Sequence, residues 1–159
     1  MNLKVRRAVV KDIPKILDLL VQVDMVHHNG RPDLFRAGCK KYTDEELCIL
    51  IEQEQDTRPI FIYEEDGRVL GYAFCMLMDY SDEHVLSPIK SLYIDDLCVN
   101  ENCRGKHIGT KLFDFVKDYA REIGCYNVTL NVWACNPTAL KFYEKCGMQV
   151  QKMGMEWVL

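Results

Sequence analysis

Apolar residues along the chain change repeatedly between two spacings, and this pattern predicts an α/β fold. Alternating apolar and polar residues predict strands, whereas apolar residues three and four positions apart predict helices. Strands are predicted at 3–9, 59–63, 69–78, 91–99 and 128–132, with one or two closing strands at 148–150 and 155–158, and helices at 12–21, 43–51, 109–123 and 136–146. The predicted order is β-α-α-β-β-β-α-β-α-β, without internal repeats.

Helix ends and turns carry residues with specific backbone roles. Thr43 with Glu46 three residues later forms a capping box, and Asn136 followed by Pro137 places an N-cap before a proline in the first turn. The other signals are Asp12 as an N-cap, Asp66-Gly67 as a hairpin turn, and Gly124 and Gly147 as helix stops. These signals fix the predicted boundaries.

A strand-helix-strand unit over 91–132 contains the stretch that most resembles a ligand site. Its two strands are predicted to be parallel neighbours, and ligands in such units lie at the carboxyl ends of strands. Gly105 and Gly109 flank a helix start, where unpaired amides and a positive dipole end favour an anion such as phosphate. An ordinary strand-to-helix connection explains the same glycines, and the loop matches neither a P-loop nor a dinucleotide fingerprint.

Composition narrows the possible classes of protein. The chain has 159 residues, 48% of them hydrophobic, and we expect one domain over 1–159. A net charge of −4 argues against nucleic-acid binding. No apolar run is long enough to span a bilayer and no signal peptide is present, so the sequence predicts a cytoplasmic protein without membrane contact. Eight cysteines without Cys-x-x-Cys pairs favour free thiols in a reducing compartment rather than disulfides or a metal site.

The glycine stretch and the last helix together resemble one family. The motifs are Arg104-x-x-His107-x-Gly109 and Asn136-Pro137-x-Ala139-x-x-Phe142-Tyr143-x-x-x-Gly147. In this order they resemble the GNAT (GCN5-related N-acetyltransferase) superfamily, with His107 in place of a glycine. The resemblance lies mainly in residues 92–147. It implies a mixed, mostly antiparallel sheet flanked by helices, with a V-shaped splay between two neighbouring parallel strands.

The resemblance also implies a donor site for acetyl-coenzyme A as co-substrate, without a metal. Main-chain groups at the end of the central strand would pair with the pantetheine arm, the glycine loop would hold the pyrophosphate, and residues of the last helix would flank the acetyl end. The residues so implied are Leu97, Cys98, Val99, Arg104, Gly105, Lys106, His107, Ile108, Gly109, Thr110, Asn136, Phe142 and Lys145. For Lys106 and Lys145, a solvated surface charge is an equal alternative.

The resemblance implies Tyr143 as the acid that protonates the departing thiolate, and the pair Asp95-Asp96 as the source of a base. Asp95 takes the position of an acid that is catalytic in some members, so Asp95 is the first choice for the base, and its short side chain favours a bridging water. Strict alternation would put Ile94, Asp96 and Cys98 on one strand face and Asp95 on the other, so only one aspartate would face the acceptor. Carboxylates that bind a cationic substrate or pair with a lysine are the alternative. Cys98 as an acyl carrier is disfavoured, because no histidine stands nearby to activate it.

The implied activity is transfer of an acetyl group from acetyl-CoA to a primary amine of a small molecule or peptide by direct attack in a ternary complex. A weak or inactive GNAT-like module that binds acetyl-CoA, CoA or a partner is the alternative. A cationic acceptor, such as a polyamine, aminoglycoside or peptide amine, is favoured by acidic residues expected near one mouth of the site, namely Asp79, Asp82, Glu83, Asp95 and Asp96. An anionic group on an amino-acid-like acceptor is equally favoured by the loop that contains His27, His28, Arg31 and Asp33. Homodimers are common in the family, so a dimer is possible.

Overall fold

The computed structural model describes residues 4–159. The strands are β1 (Val5–Arg7), β2 (Ile60–Glu65), β3 (Arg68–Asp79), β4 (Lys90–Val99) and β5 (Asn127–Leu130). The helices are α1 (Ile13–Gly30), α2 (Asp44–Gln53), α3 (Ile108–Glu122) and α4 (Pro137–Lys145). Short 3-10 turns at Val10–Asp12 and Glu101–Cys103 precede α1 and α3.

The sheet has the strand order β1-β2-β3-β4-β5, and every pair is antiparallel except β4 with β5. The β2–β3 hairpin turns at Asp66 and Gly67, whose φ angles of 51° and 72° suit the backbone twist of a tight hairpin. Pairing between β4 and β5 runs only from Ser91–Asn127 to Ile94–Leu130. β4 continues to Val99 beyond that point, so the two parallel strands part as the GNAT resemblance implies.

A β-bulge interrupts β4 at the aspartate pair. Phe74 pairs with Asp96 and Cys75 pairs with Ile94, so Asp95 is an extra residue in the register. The bulge exchanges the two faces of the strand, because Ile94 packs on the α3 side whereas Cys98 packs on the α1 side. The predicted strict alternation, with Ile94, Asp96 and Cys98 on one face, is therefore wrong.

Helices cover both faces of the sheet. α1 and α2 bury Ile16, Leu20 and Leu50 against one face, and Tyr72 of β3 belongs to this cluster. On the other face, α3 buries a stripe at i, i+4 spacing, Ile108, Leu112, Val116 and Ala120. Phe142 and Tyr143 of α4 pack at the margin of this second cluster. The sheet thus separates the α1 side from the α3 and α4 side of β4.

Two of the predicted helix starts are confirmed, and a third differs. Thr43 accepts from the Glu46 amide at 3.2 Å while Glu46 accepts from the Thr43 amide at 2.8 Å, and Asn136 accepts from the Ala139 amide at 3.2 Å. Asp12 stands at the N-cap of α1 but does not cap it. Its carboxylate accepts from the Val9 amide at 2.9 Å and pairs with Arg6 at 2.7 Å, so Asp12 fixes the preceding turn instead.

Several predicted boundaries shift, and the closing strands are wrong. α1 continues to Gly30, and β5 ends at Leu130. Leu3 of the first predicted strand lies outside the described residues. Residues 148–159 contain neither helix nor strand, and Met155 and Trp157 are exposed. Alternating apolar residues make a segment able to pack on a sheet, but a strand also needs a neighbouring strand to pair with. In the sheet as described, β5 pairs only with β4.

Within residues 4–159, no helix is long and apolar enough to cross a bilayer. No group of three or more His, Cys, Asp and Glu side chains in that range is arranged to hold a metal ion.

Candidate active site

The loop between β4 and α3 is held by backbone conformation. Asn100 accepts from the Asn102 amide at 3.0 Å, and Gly105 has a φ of 82°. His107 is exposed and has a φ of 58°, in the left-handed region that histidine tolerates better than most residues. These two left-handed residues bring the chain into α3 at Ile108. The amides of the first turn, which have no acceptor within the helix, lie directly beyond them.

The two glycines of the loop are needed for different structural reasons. Gly105 supplies a positive φ and has open space around it. Gly109 has no positive φ, but a side chain there would place its Cβ 3.2 Å from the Phe142 ring and 3.6 Å from Val99. Gly109 therefore allows α3 to approach both α4 and the end of β4. The structure thus brings together three residues of the predicted donor site, Val99, Gly109 and Phe142.

Two of the three predicted cations lie in this loop. Arg104 and Lys106 are exposed, and among residues 4–159 neither forms an ion pair. Burial raises the pKa of the Cys98 thiol, and the positive charge of Arg104, which follows the end of β4 in the chain, opposes that rise. Lys145 is exposed in the last turn of α4, and no hydrogen bond within the described range links it to the loop. Arg104 and Lys106 thus suit a polyanion, while Lys145 keeps its alternative as a surface charge.

Asp95 is held by the segment between α1 and α2. Its Oδ2 accepts from Lys41 Nζ at 2.7 Å and from the Tyr42 hydroxyl at 3.0 Å. Tyr42 stacks on Phe74 with the ring centroids 5.2 Å apart. The Asp95 carboxylate therefore already has a cation and a hydroxyl as partners.

Asp96 has a different environment. Its Oδ2 accepts from the Tyr72 hydroxyl at 2.7 Å. Burial raises the pKa of Asp96 to about 6, and the charge of Asp95 adds to that rise, while the Tyr72 hydrogen bond and Lys41 oppose it. A carboxylate with this pKa is mostly ionised at neutral pH and is a stronger base than an ordinary aspartate. Of the two aspartates, Asp96 has the environment of a general base.

Cys98 lies under α1 and is buried. Its Sγ lies 3.6 Å from the Leu19 carbonyl oxygen, to which the thiol donates. Burial raises the pKa of the Cys98 thiol to about 12, so the thiolate needed for acyl transfer is scarce at neutral pH. This environment agrees with the expectation that Cys98 is not an acyl carrier.

Tyr143 lies on α4 with its ring half-buried between two aromatic neighbours. The Phe142 ring meets it edge-on at 5.0 Å between centroids, and the Phe113 ring lies at 6.1 Å. Burial raises the pKa of Tyr143 well above its usual value, and the charges of Asp96 and Cys98 add to the rise. Tyr143 is therefore a protonated donor within electrostatic range of the end of β4.

On the α1 side of the site, the sequence pointed to His27 as an acceptor contact but not to Trp133. Phe35 joins the two, because its ring lies 5.1 Å from His27 and 5.1 Å, edge-on, from Trp133. A Cβ at Gly30 would lie 2.7 Å from Cys135 Sγ, so the end of α1 packs closely on the segment after β5. Lys41, Tyr42 and Tyr72 also escaped detection, since only the tertiary fold brings them to the aspartates.

Comparison with known proteins agrees with this geometry. The family model described as "Acetyltransferase (GNAT) family" matches residues 25–148. A glucosamine 6-phosphate N-acetyltransferase of Arabidopsis thaliana is 38% identical over 155 residues, which cover 96% of this chain and 93% of that protein. Its counterpart in Dictyostelium discoideum is 39% identical over 108 residues, 67% of each chain. The crystal structure of a mutant of the BH1408 protein from Bacillus halodurans superposes with a TM-score of 0.91 at 27% identity over 98% of both chains.

The fold and the site thus define an acetyltransferase. The chain belongs to the GNAT family, whose members use acetyl-CoA as co-substrate.

Proposed function

We propose that the protein transfers the acetyl group of acetyl-CoA to the primary amine of a small polar acceptor by direct attack in a ternary complex. The observation that carries this proposal is the pair Asp96 and Tyr143 at the diverging end of β4. Asp96 is a carboxylate with a pKa of about 6, and Tyr143 is a protonated phenol on the opposite side of the sheet. A base and an acid of this kind are what aminolysis of a thioester requires.

The donor site combines main-chain groups and unpaired cations. Beyond Ile94 the main chain of β4 has no partner in β5, so the groups of Leu97–Val99 on that side can pair with the pantetheine arm. The amides at the start of α3, with Arg104 and Lys106, suit the pyrophosphate. Asn136 has a structural role in the donor site, because its side chain caps α4 and so positions Phe142 and Tyr143.

Each reacting proton has a defined path. Asp96 accepts a proton from the acceptor ammonium, which leaves an amine lone pair to form the new N–C bond. Amides at the open end of β4 stabilise the charge on the carbonyl oxygen. As the C–S bond breaks, Tyr143 donates its proton to the sulfur, so coenzyme A leaves as a thiol. The amine nitrogen then loses its second proton, which returns through solvent to Tyr143 and leaves a neutral amide, and Asp96 releases its proton to solvent.

An amino sugar phosphate is the acceptor that we favour. The Arabidopsis thaliana relative, which matches over nearly the whole chain, is named for glucosamine 6-phosphate. On the segment between α1 and α2, the exposed Arg36 and Lys40 can bind a phosphate, and Lys41 lies beside Asp95.

The argument for a cationic acceptor is weaker, because Asp79 pairs with Lys90 at the opposite end of β4 from Val99. The acidic 79–83 segment therefore does not join Asp95 and Asp96 at one mouth.

An amine panel tests the proposal. The protein is mixed with acetyl-CoA and glucosamine 6-phosphate, glucosamine, spermidine, an aminoglycoside or a lysine peptide, and release of coenzyme A thiol is followed together with the product mass. We expect the fastest turnover with glucosamine 6-phosphate. Fastest turnover of spermidine would instead support the cationic acceptor. Binding of acetyl-CoA without turnover of any amine would overturn the enzymatic proposal in favour of a binding module.

We also propose a homodimer and a cytoplasmic location. Met155 and Trp157 are 91% and 89% exposed in a segment without secondary structure, and a second copy would cover them. Light scattering during gel filtration tests this, with Trp157→Ser as the variant expected to weaken the dimer. The eight unpaired cysteines suit the reducing cytoplasm.

A further inference from the structure

The inner face of α1 ends in a carboxylate with an unsatisfied oxygen. Ile13, Ile16 and Leu20 are buried on this face, and helical spacing puts Asp24 one turn beyond Leu20 on the same side. Asp24 Oδ2 is inaccessible to solvent and has no hydrogen-bond partner in the part of the chain that the structure describes. A buried oxygen of this kind costs free energy unless a donor reaches it, so it needs an explanation.

Asp24 lies one helical turn before His27 on α1, and the His27 ring contacts Phe35 in the segment that leads to Lys41. Its charge acts on His27, one helical turn further along, and so does the charge of Lys41. Lys41 in turn pairs with Asp95 at 2.7 Å, and its charge acts on Asp96. This line of neighbouring groups connects the inner face of α1 with the proposed base.

An apolar wall closes the same region. The Phe35 ring contacts both His27 and Trp133, and Gly30 lies against Cys135. The walls therefore come from α1, from the segment that follows it and from the segment that follows β5. Because Oδ2 is closed to solvent, a ligand group reaches it only when side chains at this end of α1 move aside as the acceptor binds.

We propose that Asp24 is a specificity residue for the acceptor, and that its Oδ2 accepts a hydrogen bond from a hydroxyl group of an amino sugar. The assignment rests on the proposed function, since it names a contact of the same acceptor. A hydroxyl held by a carboxylate distinguishes a sugar from a simple amine. Asp24 takes no part in proton transfer, so its contribution lies in acceptor binding.

Kinetics of Asp24 variants test this assignment. Asp24→Leu removes the acceptor oxygens, Asp24→Asn keeps a neutral one, and Asp18→Asn on the exposed face of α1 is the matched control. We expect Asp24→Leu to raise KM for glucosamine 6-phosphate about tenfold or more, Asp24→Asn to raise it less, and Asp18→Asn to leave it unchanged. KM for acetyl-CoA should stay within about twofold in all three.

Two further measurements separate this role from a structural one. Because Oδ2 has no partner in the protein, Asp24→Leu should leave Tm unchanged or raise it, and saturating acceptor should raise Tm of the wild type more than that of the variant. Monodeoxy analogues of the sugar identify the hydroxyl, because the penalty of Asp24→Leu disappears for the analogue that lacks it.

The outcomes distinguish the two proposals. A wild type that turns over the sugar, with Asp24→Leu showing the same KM, overturns the Asp24 assignment alone. A lower Tm of Asp24→Leu with unchanged KM shows that Asp24 is structural and also overturns it. A larger KM penalty for spermidine than for the sugar shows that Oδ2 accepts from an ammonium and overturns the hydroxyl assignment. A wild type without turnover of any amine overturns the proposed function itself.

Discussion

The proposed donor side and the proposed acceptor side of β4 are built in different ways. On the donor side, backbone conformation and consecutive elements make the site: the φ angles of Gly105 and His107 lead into α3, and Gly109 packs on Phe142. On the acceptor side, side chains from distant segments meet, as when Lys41 binds Asp95 at 2.7 Å. A backbone cradle suits a donor shared by a whole family. Side chains suit an acceptor that differs between members.

The largest effect is expected from substitution of Asp96, the proposed general base on the acceptor side. Asp96→Asn should lower kcat by about 100-fold or more, because it removes the general base, whereas KM for acetyl-CoA should stay nearly constant. Asp95→Asn, the matched control, should lower kcat by less than about tenfold, since Asp95 is already paired with Lys41. Steady-state kinetics of both variants shows which aspartate is the base. A larger loss of kcat in Asp95→Asn than in Asp96→Asn would identify Asp95 as the base instead.

The pH dependence sharpens this assignment. With a pKa of about 6, Asp96 loses its basic form as the pH falls, so wild-type kcat should fall on an acidic limb near pH 6. The folded-state pKa lies above the ordinary value of 3.8, so the stability associated with protonated Asp96 is complete at low pH and is lost as pH rises through about 6. Asp96→Asn should therefore stabilise the protein at pH 8 relative to the wild type. A variant that is less stable at pH 8 and equal at pH 4 would contradict this sign.

Tyr143 tests whether the two sides act together. Tyr143→Phe should lower kcat by about 10- to 100-fold, because the thiolate leaves without its proton donor, while acetyl-CoA affinity remains nearly unchanged. Turnover and calorimetric titration with acetyl-CoA provide the two measurements. Phe142→Leu is the packing control, and we expect it to change stability more than the pH profile. Normal turnover of Tyr143→Phe would remove Tyr143 from the mechanism.

The same contrast explains what could be predicted from the sequence. The element order as far as α4, the Thr43 and Asn136 caps, and the parallel β4–β5 pair follow from local periodicity and local cap residues, and these predictions are confirmed. The bulge at Asp95 is not visible in the sequence, because register depends on how β3 and β4 pair across a ten-residue connection at 80–89. The closing strands failed for a related reason, since a strand pattern does not reveal whether a partner strand exists.

Acceptor-side residues were missed because they carry no local signal. Asp24 looks like any polar residue on an amphipathic helix, and only the burial of its Oδ2 distinguishes it. Tyr72 looks like a core residue of β3 until the fold places its hydroxyl 2.7 Å from Asp96. Long-range pairs of this kind are decided by tertiary packing.

Substitution of Gly109 tests the packing of the donor side, and its expected effect on kcat is smaller than that of Tyr143→Phe. In Gly109→Ala the new Cβ would lie 3.2 Å from the Phe142 ring, so either α4 shifts or the ring turns. We expect a loss of about 1–2 kcal/mol in the free energy of unfolding, together with lower kcat because Tyr143 moves with α4. Gly105→Ala is the matched control, since its penalty comes from a φ of 82° with open space around it, and kcat should change less. Equal losses of kcat in both variants would contradict the expectation that only Gly109→Ala displaces Tyr143.

The smallest effect is expected at His107, where the chain departs from the family motif. Its side chain is exposed and its φ of 58° is one that glycine adopts more readily, so the backbone path already matches that of a glycine. His107→Gly should therefore change the Kd for acetyl-CoA by less than about tenfold, or about 1.4 kcal/mol, and should leave stability equal or slightly higher. Calorimetric titration of both proteins with acetyl-CoA measures the difference. Binding that appears only in the glycine variant would mean that the histidine blocks the cradle, and the donor side would then lose its assigned role.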